Sequence, residues 1–174
     1  MFKELNMLKV FFESPNKDFN VREIARILNI APATASSKLK NFAKEGLLKE
    51  KSERNLLIYK ANFEKEEYRD IKVYYNIRKI KESGLIEELN KFYIKPAIIL
   101  FGSASFGLDT EDSDIDIVIL SEKDKDFTKT DKYEKSLNRR LQLFIIKDIK
   151  DLKNNHLINN VLNGIVIQGE LKWI

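Results

Sequence analysis

Two carboxylates separated by one residue, Asp114 and Asp116, follow a Gly-Ser pair, Gly102-Ser103, with ten residues between, in the run AIILFGSASFGLDTEDSDIDIVIL. The run reads as an apolar strand, a turn of small residues and a second apolar strand. Residues i and i+2 of a strand point to the same face, so Asp114 and Asp116 project together. Side by side they repel one another unless a cation lies between them. A hard divalent cation, Mg²⁺ or Mn²⁺, answers that need and commonly brings nucleotide phosphates with it. Nucleotide handling is therefore the first expectation for this chain.

The rest of the chain has to position that pair. Its 174 residues suffice for one full domain or two small ones, and 43% apolar with 33% charged residues suits a globular protein. It contains no cysteine, which excludes disulfides and thiolate metal sites and fits a reducing cytoplasm. The start, MFKELNMLKVFF, is broken by Lys3, Glu4, Asn6 and Lys9, an amphipathic helix pattern, so neither a signal peptide nor a membrane partner is expected. Charge is uneven. Basic residues outnumber acidic ones over residues 1–63, whereas residues 96–174 carry 11 Lys and Arg against 13 Asp and Glu. Different partners for the two halves are expected.

In the basic front, Phe2, Leu5, Leu8, Phe11 and Phe12 recur at helical spacing, predicting a helix over 3–14 that Ser14-Pro15-Asn16 ends. Asn20 with Glu23 reads as a capping box that opens a helix over Val21–Leu28. After the turn Asn29-Ile30-Ala31, Pro32 fits the first turn of a helix running to about Glu45, with Gly46 as its stop. On that helix Ala35, Leu39, Phe42 and Ala43 share one face, and Thr34, Ser37, Lys38, Asn41 and Lys44 share the other. Hydroxyls, an amide and lysines suit a major groove, the lysines meeting phosphates and the others base edges. LLKEK and LLIYKA flank Ser52-Glu53-Arg54-Asn55 and predict a β-hairpin, with Lys49, Lys51, Arg54 and Lys60 near a nucleic-acid backbone.

Residues 64–95 read as a helical connector broken at Ser83-Gly84, with Tyr68, Arg69, Lys72, Tyr74, Tyr75, Arg78 and Lys79 interleaved. A packed helix with solvated lysines is expected there, rather than a base-stacking platform. Pro96 opens the last segment. His156 lies in a stretch, Asp151–Asn163, that reads as helix, and as the one histidine it is assigned a structural or surface place. Arg139 and Arg140 read as a solvated pair at a strand start. Gly164–Gly169 reads as a turn and short strand, after which Leu171, Trp173 and Ile174 are expected to pack.

The phrase VREIARILNIAPATASSKLKNFAKEGLLKE resembles the winged-helix regulators of archaea and bacteria, which implies double-stranded DNA as a partner and a homodimer matched to two half-sites. The pattern of Gly-Ser, ten residues and Ser-Asp-Ile-Asp-Ile resembles the DNA polymerase β nucleotidyltransferase superfamily, in its minimal branch, over about residues 85–174. That resemblance implies an NTP substrate. Gly102 would let the backbone approach the triphosphate, and Ser103 would offer its hydroxyl and N–H to the phosphates beside a helix N-terminus. Asp114 and Asp116 would hold the metal ions. The expected fold is α+β: a winged-helix domain over 1–63, a helical linker over 64–95 and a transferase domain with a mixed sheet over 96–174.

The chain departs from that family twice. Its enzymes usually carry a third carboxylate on a later strand, and on Arg140–Ile146 Gln142 stands in the expected place. An amide cannot act as a carboxylate base. Asp148 lies six residues further on, roughly 20 Å along a strand, too far to substitute. Phe106 also occupies a loop position that is often basic. Two functions follow: NMP transfer from an NTP to an acceptor hydroxyl, or a winged-helix regulator whose transferase-like domain binds nucleotide or a partner without turnover. An antitoxin-type role with a toxin partner is a variant of the second.

Overall fold

A computed structural model describes residues 2–171, with side chains from residue 6 onward. Phe2, Leu5, Trp173 and Ile174, assigned packing roles above, lie outside the described side chains. The chain separates into two compact units, residues 1–72 and 73–174, and the division falls within helix α4 (Glu66–Glu82).

The first unit runs α1 (Phe2–Glu13), β1 (Phe19–Asn20), α2 (Val21–Leu28), α3 (Pro32–Lys44), β2 (Leu48–Glu53) and β3 (Leu56–Ala61). Its antiparallel sheet has the order β1-β3-β2. The Asn20–Glu23 capping box forms in both directions, at 3.0 and 2.8 Å, satisfying donors that the helix start leaves orphaned. Asn29 closes α2 in the left-handed conformation, and Pro32 sits at the start of α3. Ala35, Leu39 and Phe42 are buried with Phe11, Phe12, Phe19, Ile24 and Tyr59. The hairpin is tighter than its sequence suggests. The strands pair as far as Glu53↔Leu56, leaving only Arg54 and Asn55 to turn, both at positive φ. Two left-handed residues match the twist of the flanking strands.

Near the end of this unit, Tyr68 is buried and donates its hydroxyl to the Phe11 carbonyl at 2.9 Å. Lys72 is also fully buried, its ammonium 5.2 Å from the centre of the Phe63 ring. This corrects the expectation of a solvated lysine there: the side chain is enclosed, with its ammonium facing a ring.

The second unit contains α5 (Leu85–Tyr93), β4 (Ala97–Phe101), a 3-10 turn (Ser103–Phe106), β5 (Ile115–Leu120), α6 (Thr130–Leu137), β6 (Leu141–Ile146), a second 3-10 turn (Ile149–Asp151), α7 (Asn155–Leu162) and β7 (Ile165–Gln168). The break between α4 and α5 falls at Ser83-Gly84, as expected. The sheet order is β6-β5-β4-β7, and the sheet is mixed: β5 runs parallel to β6 and antiparallel to β4. Both faces are covered. Ile98, Leu100, Ile115, Ile117 and Ile119 pack on one side against Ile80, Leu85, Leu89 and Leu137. Ile99, Phe101 and Val118 pack on the other against Leu152 and Val161. Two-sided burial explains why β4 and β5 read as apolar runs rather than as alternating strands. The stretch before α7 is less helical than predicted. Ile149–Asp151 forms one 3-10 turn, and Asn154 caps a new helix with its side chain.

Ile117 sits in the middle of β5 with no exposed surface. Ile117→Ala should lower the unfolding free energy of the second unit by about 3 kcal/mol. Urea unfolding followed by hydrogen exchange at β4 and β5 measures this.

Candidate functional site

Two strands and two turns bring the predicted residues together. Asp116 is the second residue of β5, and Asp114 stands just before that strand. Gly102 follows β4 and precedes the 3-10 turn, at φ +69° and ψ −159°, a conformation open in practice only to glycine. A Cβ at Gly102 would fall 2.3 Å from Oδ2 of Asp116. The first glycine and the second aspartate are thus in direct contact across β4 and β5, and no side chain fits between them. Ser103 opens the 3-10 turn and is half-buried. Gly102 accepts at its carbonyl from the Ser105 hydroxyl at 2.8 Å, and Gly107 closes the turn at φ +66°. A four-residue turn carries little macrodipole, so any anion attraction at Ser103 has to come from its own hydroxyl and nearby N–H groups.

The register settles the neighbour of Asp116. In the parallel pair, Asp116 stands opposite Gln142, so both lie on one face of the sheet at one end. Asp148 lies beyond the far end of β6 and caps the next 3-10 turn, accepting from Lys150 N at 2.8 Å. Phe106 is 47% exposed and brings no charge to the loop.

The electrostatics of the pair are unbalanced. Burial first, and the neighbouring Asp114 second, hold the Asp116 carboxyl above its usual value of 3.8, while Arg139 acts in the opposite direction. Arg139 was expected to be solvated. It is instead mostly buried, with Nη1 3.1 Å from Oδ2 of the buried Asp109 and Nε donating to the Ser113 carbonyl. Arg140 is exposed, as expected. A cleft of about 620 Å³ opens beside Asp114, with Arg139, Arg140, Lys135 and Glu134 in its walls. A larger cavity, of about 720 Å³, lies by Leu120 and Asp148 at the opposite end of β5 and β6 from the acidic pair.

Among the described residues no group of three or more His, Cys, Asp and Glu is gathered as a metal cage. The donors at this site number two carboxylates and an amide. That set fits a divalent cation that arrives with phosphate oxygens completing its shell, since Arg139 offsets the paired charge only in part and glycine keeps the approach open. When bound, such a cation neutralises charge on the phosphate and orients it. Asp114 and Asp116 would hold it.

Residues 82–166 match the family model described as a nucleotidyltransferase domain. The second unit carries a nucleotidyltransferase domain. No curated protein matches the chain. The matched span starts at the end of α4 and contains the Gly-Ser turn, both aspartates and Gln142. No helix among the described residues is long and apolar enough to cross a membrane.

The residues assigned to nucleic acid lie in the first unit. Thr34, Ser37, Asn41 and Lys44 are exposed on α3, Lys38 is half-buried, and Arg54 is exposed at the hairpin tip. Lys49 and Lys51 are already engaged with carboxylates, Lys49 with Glu64 at 2.7 Å and Lys51 with Asp18 at 2.6 Å. Such exposed pairs contribute little energy, and an incoming phosphate competes with them easily. His156 is exposed on α7, consistent with a surface role. Sequence reading missed Asp109, Asn76 and the burial of Arg139. No local pattern marks them, because the partners lie about thirty residues apart.

The raised Asp116 carboxyl sets a sign for stability. A carboxyl harder to ionise folded than unfolded leaves the folded state fully favoured at low pH and weakened as pH rises through its folded value. Asp116→Asn removes that penalty. In chelator at pH 8 the variant should melt above the parent, with the difference vanishing below about pH 4. Added Mn²⁺ and NTP should stabilise the parent alone. Differential scanning calorimetry across pH reads both effects.

Proposed function

We propose that this protein is a DNA-binding nucleotidyltransferase. Its C-terminal domain, over residues 96–174, transfers an NMP unit from an NTP to an acceptor hydroxyl with Mg²⁺ or Mn²⁺. Residues 1–63 form a winged helix that binds double-stranded DNA, and 64–95 link the two. The observation that carries the catalytic half is the contact of Gly102 with Asp116, beside Asp114 and Ser103. A phosphate chain can be laid against bare backbone there while two carboxylates hold the metal.

The acceptor oxygen attacks the α-phosphorus and the bond to the β-phosphate oxygen breaks. Pyrophosphate leaves and the hydroxyl proton passes to solvent. Gln142 takes no proton in this step. Its register position opposite Asp116 favours a second reading, a winged-helix regulator whose transferase-like domain binds metal and nucleotide without turnover. For the DNA half, the exposed hydroxyl, amide and lysine row on α3 and the Arg54 tip are the support.

Incubation with α-labelled NTPs, Mg²⁺ or Mn²⁺, and protein or nucleic-acid acceptors tests transfer. Label should pass to an acceptor and fall about 100-fold or more in Asp114→Ala and Asp116→Ala. Nucleotide binding without transfer to any acceptor would leave the regulator reading in its place.

DNA binding is checked at low salt, where electrostatic attraction is strongest. Binding of duplex DNA should weaken about tenfold in the Asn41→Ala/Lys44→Ala variant and stay unchanged in Asp116→Ala. No affinity of the parent for duplex DNA would remove the winged-helix role.

A further inference from the structure

The turn that leads into the acidic pair is closed on itself. Ser113 N donates to the Thr110 carbonyl at 3.2 Å, and Thr110 N donates to the Ser113 hydroxyl at 2.8 Å. A turn closed in this way moves as a unit, so where Asp114 stands depends on what holds the turn from outside. Arg139 holds it. Its Nε donates to the carbonyl of Ser113, the residue directly before Asp114. Its Nη1 lies 3.1 Å from Oδ2 of Asp109, a carboxylate only 1% exposed.

Asp109 is itself fixed from the other side. The Asn76 amide on α4 donates to Asp109 Oδ1 at 2.8 Å and to the Ala104 carbonyl at 3.1 Å. Ala104 belongs to the 3-10 turn that Ser103 opens. One chain of hydrogen bonds therefore runs from the Gly-Ser turn, through Asn76 and Asp109, to Arg139 and the segment carrying Asp114. Arg139 enters this position directly after the left-handed cap Asn138 that ends α6, and Leu141 N is held by Glu134 Oε1 at 2.8 Å. The guanidinium is thus anchored at the start of β6, the strand that carries Gln142.

We infer that Arg139 is a positioning residue for the metal–nucleotide site. Its fork spans Ser113 and Asp109 and so fixes Asp114 relative to Asp116 and to the Gly-Ser turn. This rests on the reading that Asp114 and Asp116 hold metal and nucleotide. The fork donates from two separate nitrogens, Nε to the carbonyl and Nη1 to the carboxylate, whereas a lysine ends in a single nitrogen. Lysine would keep the charge facing buried Asp109 but reach one partner only.

Arg139→Lys is the test, in the full chain. Amide hydrogen exchange at residues 113–116 should quicken about tenfold, the scale of one lost hydrogen bond. The affinity for Mn²⁺ with a non-hydrolysable ATP analogue, by calorimetry, should fall about tenfold, with the melting temperature little changed. A merely structural role would instead lower the melting temperature and leave affinity in the folded protein intact. Exchange at 113–116 equal to that of the parent would overturn the assignment, whether or not nucleotide binds. A parent protein that binds no Mn²⁺–nucleotide would overturn the site reading and leave the exchange result to judge Arg139. If Arg139→Lys does not fold, the neutral pair Asp109→Asn/Arg139→Gln carries the same expected and overturning results.

Discussion

The close approach of Gly102 to the Asp116 carboxylate is the constraint on which the second unit turns. Two strands meet there with no room for a side chain, and the glycine adopts a conformation that other residues avoid. The result is a carboxylate lying against bare backbone, half-buried and beside a second carboxylate. Such an arrangement is poor for stability and suited to a ligand that brings positive charge. It persists because the surrounding sheet is over-determined: both faces of β4 and β5 are packed.

The mixed topology follows from the same need. Antiparallel pairing of β4 with β5 brings Phe101 opposite Asp116, so the Gly-Ser turn that follows β4 meets the start of β5. Parallel pairing of β5 with β6 brings the starts of both strands to that same end. The segment that must return the chain to the start of β6 contains α6, and Arg139 follows its cap Asn138. Connectivity, more than any local preference, brings a cation from residue 139 against a carboxylate at residue 109.

Much of this was legible in the sequence. The capping box at Asn20, Pro32 at a helix start, the Ser83-Gly84 break and the apolar strands bearing Asp116 and Gln142 are all written in local spacing. The Asp116–Gln142 pairing could be expected because both residues sit near the start of adjacent apolar runs. What could not be read was burial of charge. Lys72 and Arg139 look like solvated cations, since nothing next to either residue in the chain announces the ring or the carboxylate that receives it. The hairpin length was missed for another reason: Arg54 is an uncommon choice for a left-handed turn position, which glycine or asparagine usually fills.

The order β6-β5-β4-β7 leaves β6 at an edge of the sheet, with one row of backbone donors and acceptors unpaired within this sheet. Its sequence, LQLFII, is uncharged, rich in β-formers and free of proline. Six residues of that kind on an open edge are a template for adding strands from other chains. Arg139 and Arg140 before it and Lys147 and Asp148 after it place charges at both ends of the run. Of these, the exposed Arg140, Lys147 and Asp148 are placed to act as gatekeepers against intermolecular strand addition, at the site end of the strand and at the opposite end alike.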